Sequence, residues 1–380
     1  MKRVFLFQRF VPNYRTAMYA RVNEALGGGL VVCHGDPPAG AGLLGADGTA
    51  GFERVDLRNR WLGGERAVWQ AWREPFRRFG RPDAVICEGN FRILSLLPLW
   101  AYCRAAGIPV AFWGHAGTAR RDVVTSRDPR DVLYRRLIRA ADAYICYTEG
   151  QREIVARIAP AERVFVARNT IDIDALAAIR ERLDARGRAA VRAELGLTRD
   201  HYLCFIGRLA PDKLLDRLLD VVEVLRRRGR SVGAILVGGG PDRARLEARA
   251  GAGGDVVFTG PLPRWEESSP YLYASDVMVI PGMVGLAVNH AFALGLPVVT
   301  REQDENPPYH SPEIDYLQHG RTGFQVPGSS PEALADAVER VLADREAFSR
   351  RAIEYARAHL RPEHFAAGVR DAVEAMTAGR

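Results

Sequence analysis

The stretch Phe205-Ile206-Gly207-Arg208-Leu209-Ala210-Pro211-Asp212-Lys213 decides how this chain folds, because an apolar run stops at a glycine and a helical pattern opens directly after the lysine. Residues 202–206 read as a short buried strand, and 214–228 carry apolar residues at helical spacing, so the two form one strand-loop-helix unit. The same unit recurs in both directions. Downstream, a strand at 233–237 precedes a helix at 243–250, another strand lies at 256–259, 277–280 precedes a helix at 288–294, and 298–300 closes the series. Upstream, 4–7 precedes 17–26, 30–33 follows, 84–87 precedes 93–106, and strands at 110–113 and 143–147 flank a helix at 132–141. Strands alternating with helices predict parallel sheets, and strands that are apolar throughout predict sheets covered on both faces. The expected fold class is α/β, with two Rossmann-like parallel-sheet domains.

Between 175 and 198 the pattern turns polar, helical and rich in Arg, Glu and Ala, which marks a connector and divides the chain near residue 175. Three helices are expected in the tail, at 331–343, 345–359 and 362–376, with Pro331 and Pro362 as first-turn prolines.

A length of 380 residues suits two domains or three. A content of 47% hydrophobic and 26% charged residues is that of a globular chain, and no segment approaches the roughly 20 apolar residues of a membrane span. The 53 Lys and Arg against 46 Asp and Glu leave +7, supplied almost wholly by arginine. A solvated Arg-rich surface accounts for that charge, and anionic partners stay open: nucleotide diphosphates, acidic lipid or nucleic acid. No RNA- or DNA-binding motif is present, so no nucleic-acid partner is expected. Cys33, Cys87, Cys103, Cys146 and Cys204 lie in apolar runs without C-x-x-C spacing and read as reduced packing residues. The apolar run at the N-terminus breaks at Gln8-Arg9, too early for a signal peptide, and the expected location is the cytoplasm.

Open α/β sheets bind ligands at the carboxyl ends of their strands, and two tandem domains leave a crevice between them. The loops after strands are therefore where chemistry is expected. Gly207 lets the backbone approach a ligand, Arg208 offers a forked donor and Lys213 a point charge, a set that suits a diphosphate. In Val237-Gly238-Gly239-Gly240-Pro241-Asp242 the dinucleotide fingerprint is not completed, since Arg243 stands where its third glycine would be. A tight turn explains these glycines, with backbone contact to a nucleotide open at Gly239 and Gly240. The stretch Pro281-Gly282-Met283-Val284-Gly285-Leu286 breaks a strand and opens a helix whose free N–H groups at Gly285 and Leu286 can meet an anion; Asn289 and His290 follow within reach of a sugar or ribose. His115, in Trp113-Gly114-His115-Ala116-Gly117, sits in a small-residue loop after a strand and can donate to a phosphate or a sugar hydroxyl, while Glu313 stands at a helix start. Asp172-Ile173-Asp174 has metal-pair spacing but precedes a helix, where N-capping explains it better. No P-loop, G-x-S-x-G, H-E-x-x-H or zinc spacing occurs, and no metal site is expected.

The run from Trp61 to Phe79 mixes aromatic residues with arginines. It reads either as an amphipathic contact with an anionic membrane or as a helix packing its aromatics on the core.

Together these segments resemble the GT-B glycosyltransferases of family 4, the glycosyl transferases group 1 family. The resemblance rests on Gly207-Arg208-Leu209 with Lys213, Val237-Gly238-Gly239-Gly240-Pro241, Val257-Phe258-Thr259-Gly260, Ala274-Ser275-Asp276-Val277, Gly295-Leu296-Pro297-Val298-Val299, Pro312-Glu313 and Thr322-Gly323, in that order. It implies a GT-B fold with a central cleft: an acceptor-binding domain at 1–175, joined by the helix at about 362–380, and a nucleotide-sugar-binding domain at 176–361. It also implies a retaining transferase needing no cofactor or metal, in which Arg208 and Lys213 hold the donor diphosphate, Gly285 and Leu286 touch sugar or phosphate, and His115 orients the donor sugar. The implied partners are a nucleotide-sugar donor and a saccharide, lipid-linked or small-molecule acceptor; the membrane reading of Trp61–Phe79 adds peripheral contact at the inner face of the membrane. The family's two glutamates, seven residues apart with roles toward donor sugar and ribose, fall here on Gly282 and His290. Rival readings are a sugar-nucleotide 2-epimerase of the same architecture and a sugar-nucleotide-binding protein without catalysis.

Overall fold

A computed structural model describes residues 2–38, 51–64, 66–115, 123–251, 255–303 and 309–378. Two compact units emerge, Met1–Asp172 with Pro362–Arg380, and Ile173–Arg361.

The first unit runs β1 (Val4–Phe7), α1 (Thr16–Ala25), β2 (Leu30–His34), β3 (Glu53–Asp56), β4 (Asn59–Leu62), β5 (Ala67–Gln70), α2 (Glu74–Phe79), β6 (Ala84–Glu88), α3 (Leu96–Ala105), β7 (Val110–Trp113), α4 (Pro129–Ala140), β8 (Ala143–Cys146), α5 (Glu149–Ala156) and β9 (Val164–Val166). Its seven-stranded sheet has the order β3-β2-β1-β6-β7-β8-β9, every pair parallel. Residues of one strand go alternately to the two faces. Val4 and Leu6 therefore join the core containing the C-terminal helix Pro362–Thr377, while Phe5 and Phe7 join the opposite core. Both faces are covered, which is why β1 is apolar at every position.

The second unit runs α6 (Ile173–Arg186), α7 (Arg188–Glu194), β10 (His201–Ile206), α8 (Leu215–Arg227), β11 (Val232–Val237), α9 (Arg243–Ala250), β12 (Val256–Gly260), α10 (Trp265–Ala274), β13 (Val277–Ile280), α11 (Ala287–Ala293), β14 (Val298–Arg301), β15 (Gly323–Val326), α12 (Pro331–Ala343) and α13 (Arg345–His359); the helix from Pro362 is α14. Its six strands, also all parallel, follow the order β12-β11-β10-β13-β14-β15. Each sheet thus reverses direction once, between β1 and β6 and between β10 and β13. Ligands of doubly wound sheets bind at such switch points.

The Trp61–Phe79 stretch is not one helix. It forms the β4–β5 hairpin, turning at Gly63-Gly64, and then the short α2. Trp72 and Phe76 pack with the core around Phe5, as the core reading expects, whereas Leu62 and Trp69 stay exposed. All five cysteines are free and buried. Asp174 lies in the first turn of α6 and pairs with Arg361 at 2.9 Å.

Asp276, at the start of β13, is buried and holds Arg188 and Arg192 at 2.7 Å and Arg345 at 3.2 Å. Burial alone would raise its pKa, but His201, Arg188 and Arg192 outweigh that and hold the carboxyl well below the usual range. Removing one partner of a buried ion cluster strands the others. Asp276→Asn is therefore expected to cost about 3–5 kcal/mol in urea denaturation, and a loss under about 1 kcal/mol would contradict the role given to the cluster.

Candidate functional site

Residues with anion-binding chemistry gather at the switch point of the second sheet. The chain leaves β10 at Gly207, whose φ of +142° favours glycine. The loop is then stitched to the turn after β11: Gly207 N–H donates to Val237 O at 2.9 Å, Leu209 N–H to Gly239 O at 2.9 Å, and Asp242 N–H to Leu209 O at 3.1 Å. A Cβ on Gly238 would overlap the carbonyl oxygen of Gly207, and one on Gly240 that of Leu209. These two glycines are thus required by the approach of the Arg208 loop. Gly239 differs, since a Cβ there meets nothing nearer than Pro261 at 3.5 Å, so packing does not demand a glycine at that position.

Arg208 is exposed and has no carboxylate within 4 Å among the described residues. Lys213 is tethered, its Nζ donating to Met283 O at 3.0 Å and lying 3.1 Å from Asp212 Oδ2. The loops after β10 and β13 are further joined by Met283 N–H to Asp212 O at 2.9 Å. A Cβ on Gly282 would overlap the Asp212 carbonyl oxygen. The backbone here therefore has no room for a glutamate at 282, which gives the missing carboxylate a packing cause.

Immediately after Lys213, Leu214 adopts φ +51°, and it alone among the described non-glycine residues has positive φ. Left-handed backbone in a leucine costs on the order of 1–3 kcal/mol and persists where the surroundings enforce it. Nothing in the residue type announces this strain.

Gly285 and Leu286 precede α11 and are half-buried, with Ser311 Oγ 3.9 Å from where a Cβ of Gly285 would lie. Asn289 is completely buried. His290 is half-buried against the edge of Trp265, with ring centroids 6.2 Å apart. Glu313 is buried in the short 3-10 helix Pro312–Tyr316, and Ser311 N–H donates to Val284 O at 3.1 Å. His310, which sequence patterning does not single out, accepts from Val284 N–H through Nδ1 at 3.1 Å and donates through Nε2 to Arg301 O at 3.0 Å. Those two bonds fix its tautomer and hold the Val284-Gly285 loop.

In the first unit, Gly114, with φ +154°, turns the chain out of β7, and Gly114 N–H donates to Ile145 O at 3.1 Å. His115 follows with its ring 4.8 Å from that of Tyr147; Ala116 and Gly117 lie outside the described residues. At this sheet's switch point Arg9 pairs with Glu88 at 2.7 Å. Arg15 is buried beneath the rings of Tyr14, Trp113, Tyr147 and Phe365 and donates to Asn169 Oδ1 at 2.6 Å. Arg9 and Glu88 escape a reading by motif because no local spacing joins them.

His115 is exposed at the surface, yet the protein packed around its ring and the Arg15 guanidinium push its pKa down to about 4. Burial pushes His290 down to about 4 as well. Both imidazoles are neutral at pH 7 and can each donate one hydrogen bond. An unfolded histidine titrates near 6.5, so between about pH 6.5 and 4 the unfolded chain binds protons that the folded chain does not. The contribution is complete above that window and is lost as pH falls through it. The urea midpoint is expected to drop from pH 7.5 to pH 5, and to drop less in His290→Gln; an equal drop in both proteins would contradict the burial of a neutral imidazole.

Among the described residues, no group of three His, Cys, Asp or Glu could hold a metal ion, and no helix is long and apolar enough to cross a membrane.

Residues 200–344 match the family model described as Glycosyl transferases group 1. Over 180 residues the chain is 31% identical to a GDP-mannose-dependent alpha-(1-6)-phosphatidylinositol monomannoside mannosyltransferase of Mycobacterium tuberculosis, a match covering 44% of this chain and 45% of the relative. The chain thus spans under half the length of that relative. It is 27% identical over 299 residues to a GDP-mannose-dependent alpha-(1-6)-phosphatidylinositol dimannoside mannosyltransferase of the same species, covering 77% of this chain and 73% of the relative. The Anabaena protein HepE, solved with UDP, superposes with a TM-score of 0.69 at 17% identity, covering 97% of this chain and 98% of its own. Likeness at that identity speaks for fold alone. The chain has the two-sheet α/β fold of GT-B glycosyltransferases, and the match to the glycosyl transferases group 1 model is confined to its residues 200–344.

Proposed function

We propose that the chain is a glycosyltransferase that moves a sugar from a nucleotide-diphosphate donor to an acceptor hydroxyl with retention of anomeric configuration, without a metal ion, in lipid-linked glycan or polysaccharide assembly. The observation that carries this reading is the placement of Arg208, exposed and without a carboxylate partner among the described residues, and Lys213, held by Met283 O, at the switch point of the second sheet. In such a transfer the bond from the anomeric carbon to the diphosphate oxygen breaks and negative charge grows on the leaving phosphate. Fixed cations lower the cost of that charge. The acceptor oxygen bonds to the anomeric carbon on the face the diphosphate leaves, and its proton passes to the leaving phosphate. Neutral His115 donates to a donor-sugar hydroxyl, Gly239 and Gly240 offer backbone to the nucleotide, and His290 serves the ribose in place of a glutamate. The mycobacterial relatives, named for GDP-mannose and phosphatidylinositol mannosides, support a nucleotide sugar and a lipid-linked acceptor. Such an acceptor puts the protein in the cytoplasm, at the inner face of a membrane.

The test is a thermal-shift screen of UDP-, GDP-, dTDP- and ADP-sugars in EDTA, followed by product analysis with and without a glycolipid acceptor. A selective shift, with nucleoside diphosphate released only when acceptor is present and an α-linked product from an α-linked donor, is expected. Conversion of the donor without any acceptor would favour the epimerase reading, and a shift without turnover the non-catalytic one.

A further inference from the structure

We propose that the outer face of the β4–β5 hairpin, continued by the exposed flank of α3, docks on an anionic lipid bilayer. Strand alternation sends Trp61, Val68 and Gln70 inward and leaves Arg60, Leu62 and Trp69 outward. Leu62 is 50% exposed and Trp69 42%. The patch continues across a backbone junction, because Leu94 N–H donates to Val68 O at 2.9 Å. Leu94 and Leu97 are 44% and 40% exposed, and Tyr102, 43% exposed, lies further along α3 with its ring 5.3 Å from Trp72. Large apolar residues grouped in this way on a soluble surface mark an interaction site.

Arginines surround them. Arg60 is the cross-strand partner of Trp69, Arg66 lies in the hairpin beside Ala67, the partner of Leu62, and Arg73 sits 5.1 Å from the Trp72 ring. Arg92 accepts Val68 N–H through its carbonyl, and Arg104 follows Tyr102 on α3. All five are exposed, and none has a carboxylate within 4 Å among the described residues. Residues 58–104 contain nine arginines against four acidic residues, so they hold +5 of the chain's +7. A second copy of the chain would set these guanidiniums against one another, whereas phosphate headgroups pair with them and the acyl boundary takes up leucine and tryptophan.

The surface deepens the lipid-linked reading of the acceptor, but it is tested without donor or acceptor, so vesicle binding and glycosyl transfer succeed or fail separately. The experiment is flotation of the full chain with vesicles of phosphatidylcholine alone and with about one-third phosphatidylglycerol. Binding to the anionic vesicles only, weakened by salt, is expected. Arg60→Gln, Arg66→Gln and Arg73→Gln combined should reduce partitioning about 100-fold, and Trp69→Ser with Leu97→Ser at least tenfold, each with an unchanged melting temperature. If the serine variant does not fold, the arginine variant decides. Equal binding to both vesicles, parent-like binding by the arginine variant, or a dimer that these substitutions dissociate would overturn the proposal.

Discussion

Arg208→Ala is expected to lower kcat/KM for glycosyl transfer by about 100-fold or more, the scale on which removing one preorganised donor from a developing oxyanion acts. The guanidinium is exposed and has no carboxylate within 4 Å among the described residues, so its loss strands none of them and should barely move the melting temperature. Lys213→Ala is expected to cost a similar factor, with a modest loss of stability because its Nζ bridges Asp212 and Met283 O. Losses under about tenfold for both, or about 1.4 kcal/mol each, would remove the diphosphate from these two residues.

Gly282→Ala should act as strongly through a different cause. Its methyl group would overlap the Asp212 carbonyl oxygen and force apart the two loops that hold Lys213. Overpacking of this kind costs about 1–3 kcal/mol, and the displaced lysine should bring a loss in kcat/KM near that of Lys213→Ala. Gly282→Glu, which writes back the glutamate of the resemblance, is expected to be worse. Gly239→Ala is the control, since its Cβ meets only Pro261 at 3.5 Å: fold kept, and any effect confined to nucleotide affinity. A Gly282→Ala protein with parental stability and parental turnover would contradict the packing account of the missing carboxylate.

The long repeating elements were legible because burial writes itself into composition. The helices Pro331–Ala343 and Arg345–His359 and the strand Val277–Ile280 begin and end where their patterns predict, each bounded by a proline, an aspartate or a turn. The β4–β5 hairpin was harder, because its Gly63-Gly64 turn is embedded in an aromatic and arginine-rich run that also suits an amphipathic helix. Helix α10 carries Pro270 in its interior and so reads as broken. Strand β3 sets Val55 among three charged residues, β9 has only three residues, and β15 opens on a glycine and carries Gln325, so none shows a continuous apolar run of the length that marks β1 or β13. Among the candidate site residues of the two units, Arg208, Lys213 and His115 stand out because cations and a histidine follow strands at glycines. Leu214, His310 and the Arg9–Glu88 pair do not, since backbone strain and contacts between distant residues leave no local trace.

Titration of UDP, GDP, dTDP and ADP into the parent and into Arg208→Ala, by calorimetry in EDTA, tests the central assignment most directly. The account predicts that one nucleoside diphosphate binds the parent without metal and binds the variant at least about tenfold more weakly, a difference of about 1.4 kcal/mol. Equal affinity in the two proteins, or no binding of any nucleoside diphosphate to the parent, would contradict it.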